Sequence, residues 1–269
     1  MLLDIDNLSL TITTNGLVSP ILDDVSLSVD AGEVVGLVGE SGSGKSTTAR
    51  AVLRLYPETA AVDGSITVGG TEVLAASRAD LHRVRSSEVA MIHQDPRAAL
   101  NPVRKIGDSL TERLVHVLGV SRADAAAAGL ELLAAVGIRQ PEERMRQYPH
   151  ELSGGMLQRV VIAAALTGQP KLLLADEATS ALDVTTQAEV LAILRDLQTQ
   201  RGLGVLLITH DLHLAAAYCD RVYVMYRGRI VEELRGNDLF HGAQHEYTRR
   251  LLSAVPAIGH LPNSESRAS

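Results

Sequence analysis

Apolar and polar residues alternate along the first part of the chain. In residues 3–12 alternate positions are apolar, with one break near Asn7, and this spacing predicts a half-buried strand. Residues 22–29 continue in the same way and predict a second strand. Residues 64–73 predict a hairpin, because Gly69-Gly70 supplies a turn that adopts positive φ. We expect these segments to form an antiparallel sheet.

Other apolar runs are short and nearly uninterrupted, as strands buried on both faces are. They occupy residues 34–38, 88–92, 171–175 and 205–208. Helices are predicted after three of these strands, at residues 47–55, 185–200 and 212–218. Strands that alternate with helices predict a parallel sheet covered by helices.

The middle of the chain, residues 100–160, contains no convincing strand. Residues 106–118 and 122–136 predict two helices, the second of them rich in alanine. We interpret this stretch as an inserted helical lobe. From about Ile258 the sequence is polar and low in apolar residues, which predicts a frayed tail.

Length and composition narrow the class of protein. A chain of 269 residues suits one large domain or two modest lobes that share a core. A net charge of −7 without a basic patch argues against nucleic acid as a partner. Cys219 is the only cysteine, which excludes a disulfide, a cysteine-ligated zinc site or an iron–sulfur cluster built from this chain alone. Without a secretory signal or an apolar run of about 20 residues, we expect a soluble cytoplasmic protein.

A glycine-rich loop follows the strand predicted at residues 34–38. Residues 39–47 read GESGSGKST, and a predicted helix comes next. Glycines let backbone N–H groups surround a phosphate, and the start of a helix adds its positive end. Lys45 would contact the β- and γ-phosphates of a nucleotide, and Ser46 would ligate Mg²⁺. The alternative is a chance Gly/Ser-rich turn, which the order of strand, loop and helix disfavours.

Two carboxylates end the strand predicted at residues 171–175. The sequence LLLADE places Asp176 at the strand tip, where it would hold Mg²⁺ directly or through water. Glu177 would then face the attacking water as a general base. In isolation such a pair is more often a solvated strand end. Its position downstream of the glycine-rich loop favours the catalytic interpretation.

A second glycine turn stands at residues 152–159, which read LSGGMLQR. Ser153 is a natural N-cap, so an ordinary capped helix is the simpler interpretation of this motif alone. Together with residues 39–47, however, it gives the chain two anion-binding surfaces. This pair suggests an ATPase in which two copies close face to face around ATP.

These motifs, in this order, resemble the ATP-binding subunit of ABC transporters, and the resemblance covers nearly the whole chain. It implies that the Ser153, Gly154 and Gly155 turn contacts the γ-phosphate bound on the opposite subunit. The resemblance also implies nucleotide contacts in the first loop. These are Gly39, Ser41, Gly42, Ser43, Gly44, Lys45, Ser46 and Thr47.

Further site residues follow from the same resemblance. Gln94 matches the glutamine that links nucleotide to the membrane subunits, and it joins Ser46 and Asp176 in the implied Mg²⁺ site. Residues 180–183 match the loop that ends at Asp183, a further nucleotide contact. His210 matches the switch histidine. The implied catalytic set is Glu177, His210, Lys45 and Gln94. Alone, Gln94 or His210 would more often be an ordinary hydrogen-bonding loop residue, but their order and spacing among the other motifs favour the functional interpretation.

The resemblance implies an α/β fold: a P-loop (RecA-like) ATPase core with an antiparallel β subdomain and an inserted α-helical subdomain. The ATP-binding domain would cover residues 1–255, with the helical subdomain at about 100–160. A C-terminal importer-type segment would occupy about 236–256, followed by a polar tail at 257–269.

Finer details resemble the peptide and nickel importers. They are HQDP at 93–96, LNP at 100–102, ALDVT at 181–185 and HEYT at 245–248. This branch implies transmembrane permease subunits, a second ATP-binding subunit that is a sister chain or an identical copy, and indirectly a solute-binding protein. It also implies a peripheral location on the cytoplasmic face of the inner membrane.

The chain departs from the family where adenine usually stacks on an aromatic residue. No aromatic residue precedes Tyr56, and Leu17 or Val18 would offer only an apolar face.

Two other classes of protein compete with an importer motor. A non-transport ABC ATPase of translation or repair would need a second cassette or a long coiled coil, neither of which is present. A regulatory module without turnover is disfavoured by Glu177 and His210.

Overall fold

The computed structural model describes residues 1–178 and 183–255. Within them the strands form two sheets. The strands are β1 (Leu3–Thr14), β2 (Leu17–Val29), β3 (Val34–Val38), β4 (Ala60–Val68), β5 (Thr71–Glu72), β6 (Val89–Ile92), β7 (Leu172–Asp176), β8 (Gly204–Thr209), β9 (Arg221–Tyr226) and β10 (Arg229–Arg235). The α-helices are α1 (Lys45–Val52), α2 (Arg78–Arg83), α3 (Pro96–Ala99), α4 (Ile106–His116), α5 (Arg122–Ala135), α6 (Pro141–Arg144), α7 (Gly154–Leu166), α8 (Val184–Arg201), α9 (Leu212–Tyr218) and α10 (Glu246–Ser253).

The smaller sheet is antiparallel, as the alternating pattern predicts, with the order β2-β1-β4-β5. The break in the pattern is an irregularity of β1, where Asn7 adopts a φ of 51° and the register with β4 shifts. Gly69 and Gly70 form the predicted turn, with φ values of 53° and 84°. The prediction of this sheet is confirmed.

The larger sheet has the order β10-β9-β3-β8-β7-β6. Neighbouring strands from β9 to β6 are parallel, and β10 pairs with β9 in the antiparallel sense at the edge. The sequence reasoning did not identify β9 or β10. The edge strand β10 carries Glu232 and Glu233 among its apolar residues, and it is half-exposed along most of its length. Its pattern is therefore weaker than that of the buried strands.

The two faces of the larger sheet are covered differently. Alternate residues such as Val34 and Leu173 belong to a core shared with α7, α8 and α9. Their neighbours Val35 and Leu172 point into a second core, which contains α1 and the antiparallel sheet. The expectation of a parallel sheet covered by helices is thus confirmed, and on one face α1 shares the covering with the antiparallel sheet. There β1, β2 and β4 present their own apolar side chains and help to exclude that face from water.

Between β6 and β7 the described chain is helical. Leu110 of α4, Leu133 of α5 and Val160 of α7 are buried in one core with the helix-covered face of the larger sheet. The guanidinium of Arg113 in α4 donates to the backbone oxygen of Ser86, just before β6. Packing and this hydrogen bond therefore attach the helices to the sheet that carries the candidate site.

Several helix boundaries differ from prediction by a few residues. The helix predicted at 47–55 is α1, which begins at Lys45 because Gly44 adopts a φ of 111° as its N-cap. It ends at Val52, shortly before Arg54 takes a φ of 50°. The predicted tail at 257–269 lies outside the described residues. Among the helices that are described, none has the length and apolar character needed to cross a bilayer.

Candidate functional site

The phosphate loop, residues 39–47, connects β3 to α1 in a conformation that depends on glycine. Gly39 has a φ of 150°, and a side chain there would collide with the backbone oxygen of Met225. Gly44 has a φ of 111°, and an added Cβ would lie 2.8 Å from Leu22 Cδ2. The loop is thus packed between β2 and β9 while its inner side faces the open cleft. Backbone N–H groups at the start of α1 face an anion site of the kind that phosphates occupy.

Lys45 lies inside the phosphate loop and is 6% exposed. Its Nζ donates to the backbone oxygens of Gly39 at 2.8 Å and Glu40 at 2.7 Å. Burial lowers the pKa of Lys45, and the carboxylates of Glu177 and Asp176 oppose that shift. An ammonium held by neutral carbonyl groups exchanges these partners readily for the charged oxygens of a phosphate, which make stronger hydrogen bonds.

The start of α1 and the end of β7 bring two oxygen donors together. The Ser46 hydroxyl donates to Asp176 Oδ1 at 2.7 Å, and Asp176 is buried. Hydroxyl, carboxylate, phosphate and water oxygens are the ligands that Mg²⁺ takes in nucleotide sites. No group of three or more His, Cys, Asp or Glu side chains within residues 1–178 and 183–255 forms a metal site by itself. Ser46 and Asp176 therefore fit a Mg²⁺ whose remaining ligands come from phosphate and water.

Glu177 stands at the tip of β7 in a strained backbone conformation. Its φ is 50°, a value that non-glycine residues seldom adopt and that clusters at functional sites. Its Oε2 accepts a hydrogen bond from Gln94 Nε2 at 2.7 Å, and its Oε1 lies 3.5 Å from His210 Nδ1. Gln94, Glu177 and His210 thus converge from three separate strand ends. Glu177 is 83 positions from Gln94 and 33 positions from His210 in sequence.

Most of these groups line one cleft of about 580 Å³, and the predicted residues Gly39, Ser43 and Asp176 lie just outside its lining. Its lining contains most of the predicted site residues together with Ile21, which the sequence reasoning missed. They are Ile21, Ser41, Gly42, Gly44, Lys45, Ser46, Thr47, Gln94, Glu177 and His210. Leu17 and Val18 lie outside this lining and are 75% and 65% exposed. Ile21 directly precedes the alternating positions of residues 22–29, so that pattern gave no signal for it.

The Ser-Gly-Gly turn (Ser153, Gly154 and Gly155) stands apart from that cleft. Ser153 is the N-cap of α7 and accepts the Met156 N–H at 3.4 Å. None of the three lines the cleft in the part of the chain that the structure describes. A Cβ added at Gly155 would lie 3.0 Å from Thr186 Cγ2, so the turn borders the start of α8.

Asp183 is exposed at the start of α8 and caps that helix. It accepts hydrogen bonds from the Thr186 N–H at 3.0 Å and the Thr186 hydroxyl at 2.7 Å. These hydrogen bonds hold the pKa of Asp183 below its ordinary value. The rest of the predicted loop, residues 180–182, lies outside the described residues. Asp183 and Gly155 thus both adjoin Thr186, and Asp183 is not among the described residues that line the cleft.

Sequence reasoning also missed a contact behind the phosphate loop. The backbone N–H of Glu40 donates to the hydroxyl of Tyr247 at 3.1 Å. The two residues are 207 positions apart. The HEYT motif drew attention to this segment, but no sequence signal points from it to the loop.

Comparison with known proteins gives matches along most of the chain. The family model described as ABC transporter matches residues 22–180. The peptidoglycan transport ATP-binding protein YejF of Agrobacterium fabrum is 46% identical over 267 residues, which cover 98% of this chain and 49% of that protein. The oligopeptide transport ATP-binding protein OppD of Salmonella typhimurium is 42% identical over 258 residues, which cover 96% of this chain and 77% of that protein. The chain thus spans about half the length of the first relative.

A solved structure has the same fold. The dimeric post-hydrolysis state of the ATP-binding cassette MJ0796, bound to ADP and Pi, aligns with a TM-score of 0.77 and 26% sequence identity. The alignment covers 87% of this chain and 98% of that chain.

Proposed function

The chain belongs to the ABC transporter ATP-binding family, and on that premise we propose that it is the motor subunit of an importer for peptides or a related small solute. It is an ATPase cassette with the P-loop α/β fold that the sequence predicts. We propose that ATP binding and hydrolysis at a two-subunit interface drive the uptake of that solute.

One observation carries the mechanism: Gln94, Glu177 and His210 meet at the open side of the phosphate loop. Groups that bind phosphate and groups able to polarise water therefore share a single cleft. In phosphoryl transfer, positioning and charge neutralisation supply most of the rate enhancement. A cleft that combines both sets of groups supports hydrolysis and not storage of the nucleotide.

In the proposed reaction, the N–H groups of the phosphate loop and the Lys45 ammonium hold the β- and γ-phosphates of ATP. Ser46, Asp176 and Gln94 would hold Mg²⁺, which supplies positive charge to the phosphate oxygens. Glu177 orients a water and accepts its proton, while His210 steadies the γ-phosphate. Release of the Gln94 and His210 contacts to Glu177 would free its carboxylate for this role.

We propose that the second half of the site comes from another subunit. Ser153 and Gly154 of the Ser-Gly-Gly turn are exposed, and the turn lies outside the cleft of its own chain, so it could cover the γ-phosphate bound to a neighbouring subunit. Asp183 adjoins Thr186, as Gly155 does, and would approach the same interface. The dimeric ATP-binding cassette among the similar structures supports this arrangement. The partner would be an identical copy or a sister chain.

Gly154→Ala tests that interface. A Cβ built at Gly154 meets no atom within 4 Å in the described chain, so the variant should fold normally. If a second subunit packs on the turn around ATP, the methyl group overpacks the interface, and overpacking typically costs about 1–3 kcal/mol. We expect turnover and ATP-induced dimerisation to fall at least about fivefold.

The internal control is the same variant at concentrations where it is monomeric. Its thermal unfolding midpoint and its affinity for ATP should match those of the wild-type chain. Wild-type dimerisation and turnover would show that the turn does not contact a neighbour.

A groove beside the site suits a membrane subunit. It has a volume of about 250 Å³ and lies between the chain segment after Gln94 and the start of α7. Arg97, Pro102, Pro149 and His150 are among the residues that line it. We assign this groove to a cytoplasmic segment of the transmembrane permease, because Arg97 in its lining follows Gln94 by three positions and movement there would pass along the chain to Gln94. The chain would then sit peripherally on the cytoplasmic face of the inner membrane.

The names of the relatives favour a peptide as cargo, and nickel remains the alternative within the same branch. A solute-binding protein would deliver the cargo to the permease and would contact this chain only indirectly.

The test of the transport assignment is to purify the chain with its membrane partners and identify the retained solute by mass spectrometry. Reconstituted vesicles should then accumulate that solute only with hydrolysable ATP. A chain that hydrolyses ATP but never associates with a permease would contradict the transport assignment.

A further inference from the structure

Tyr247 joins the C-terminal helix α10 to the phosphate loop. The residue is 4% exposed, and its hydroxyl accepts the hydrogen bond from the Glu40 N–H at 3.1 Å. Burial raises the pKa of Tyr247 above its ordinary value, so the hydroxyl keeps its proton. The same residue Glu40 uses its backbone oxygen to accept from Lys45 Nζ at 2.7 Å. One peptide segment of the loop is therefore held by Tyr247 on one side and by Lys45 on the other.

The ring of Tyr247 is fixed independently of its hydroxyl. It stacks on the ring of Tyr226 with centroids 4.0 Å apart and an angle of 27° between the planes. Tyr226 ends β9. The backbone oxygen of the preceding residue, Met225, lies so close to Gly39 that it leaves no room for a side chain there. The turn after β9 adds a hydrogen bond from the Gly228 N–H to the Ser43 oxygen at 2.9 Å. The Tyr247 ring and the phosphate loop thus both contact the C-terminal end of β9 and the turn that follows it.

The chain before α10 is also anchored. Glu232 Oε1 on β10 accepts the N–H of Gln244 at 2.6 Å and that of His245 at 3.2 Å. His245 Nδ1 in turn accepts the N–H of Tyr247 at 3.1 Å. A residue held at its backbone, its ring and its hydroxyl loses little further freedom when it fixes a neighbour.

We propose that Tyr247 is a positioning residue that fixes the first turn of the phosphate loop and so sets the affinity of the chain for ATP. The inference rests on the proposed function only for the identity of the ligand. When Lys45 turns from Glu40 to a phosphate, the backbone oxygen of Glu40 loses the hydrogen bond that Lys45 donates to it. The Tyr247 hydroxyl then keeps this part of the loop in the conformation that binds phosphate.

Tyr247→Phe removes the hydroxyl and keeps the stacked ring. In the full chain without nucleotide, we expect amide hydrogen exchange at Glu40 to become at least about threefold faster. Titration with a fluorescent ATP analogue and Mg²⁺ should give a dissociation constant about three- to tenfold higher, as expected for one neutral hydrogen bond. KM for ATP should rise by the same factor while kcat at saturating ATP stays within about twofold, because the loop still closes on bound phosphate.

Tyr226→Phe is the matched control. It removes a hydroxyl from the other ring of the same stack, and this hydroxyl makes no hydrogen bond within the described chain. It should leave amide exchange, ATP affinity and kcat unchanged. Equal effects in both variants would overturn the inference, since they would indicate general loosening of the aromatic pair.

The two readouts separate this inference from the proposed function. Faster exchange in Tyr247→Phe with an unchanged ATP dissociation constant overturns the inference alone. Wild-type exchange at Glu40 in that variant also overturns it. A wild-type chain that binds no ATP at all overturns the proposed function and, with it, the assigned effect on affinity.

Discussion

A Glu177→Gln variant should bind ATP at least as tightly as the wild-type chain and hydrolyse it about 10²–10⁴-fold more slowly. The substitution keeps the size and shape of the side chain and removes its basicity. The oxygen of the new amide would still accept a hydrogen bond from Gln94, so the cleft should keep its geometry. Because one negative charge leaves a cleft that receives a polyanion, affinity for ATP should be unchanged or higher.

If two subunits close around ATP as proposed, the same variant should accumulate as an ATP-bound dimer, because blocked hydrolysis would leave the bridging nucleotide in place. Steady-state phosphate release and light scattering with ATP and Mg²⁺ measure the two effects. Glu58→Gln is a matched control, since Glu58 is exposed in the turn that follows the far end of α1. Turnover within about threefold of wild type would remove Glu177 from the role of general base, since such a base contributes far more. A variant that stays monomeric with ATP and all partner subunits would contradict the two-subunit site.

Lys45→Ala should act on binding instead. The ammonium is the cationic side chain that lines the cleft beside the phosphate loop, and hydrogen bonds to charged groups typically contribute about 1.5–3 kcal/mol. We expect the dissociation constant for ATP to rise about 10–150-fold. Hydrolysis measured at low ATP concentration should fall at least in proportion. Titration with a fluorescent ATP analogue measures the change directly.

A structural cost accompanies this substitution and must be measured separately. Alanine leaves the backbone oxygens of Gly39 and Glu40 without the partner that Lys45 provides. The thermal unfolding midpoint therefore belongs with the binding measurement. Lys171→Ala is the control, because Lys171 is exposed at the opposite end of β7 and should leave ATP affinity unchanged. Wild-type affinity in a folded Lys45→Ala variant would show that the phosphates bind elsewhere.

Both variants together separate binding from catalysis. Loss of turnover with intact binding in Glu177→Gln, and loss of binding in Lys45→Ala, would assign different steps to two residues that share one cleft. Similar losses of binding in both would indicate instead that the cleft collapses whenever a charge is removed. The structure favours the first outcome, because Glu177 is held by Gln94 and His210, whereas Lys45 is held by the loop itself.

The local pattern of residues 3–12 and 22–29 was sufficient to predict β1 and β2, because a half-buried strand imposes a period of two on its sequence. The buried strands β3, β7 and β8 were equally evident from their uninterrupted apolar runs. The phosphate loop is also a local property, since its glycines, Lys45 and Ser46 lie within nine consecutive residues. Each of these features depends on a few consecutive residues, so it can be predicted from the sequence of this chain alone.

Only the tertiary structure decided which distant segments meet. The pairing of β9 with β3 brings Met225 behind Gly39, and α10 brings Tyr247 to Glu40 across 207 positions. The tertiary structure likewise decided that the Ser-Gly-Gly turn lies outside the cleft of its own chain and that Ile21 lines it. Spacing along the chain records which side chains are buried, but it does not record which partner buries them. That choice depends on the packing of whole sheets and helices against each other.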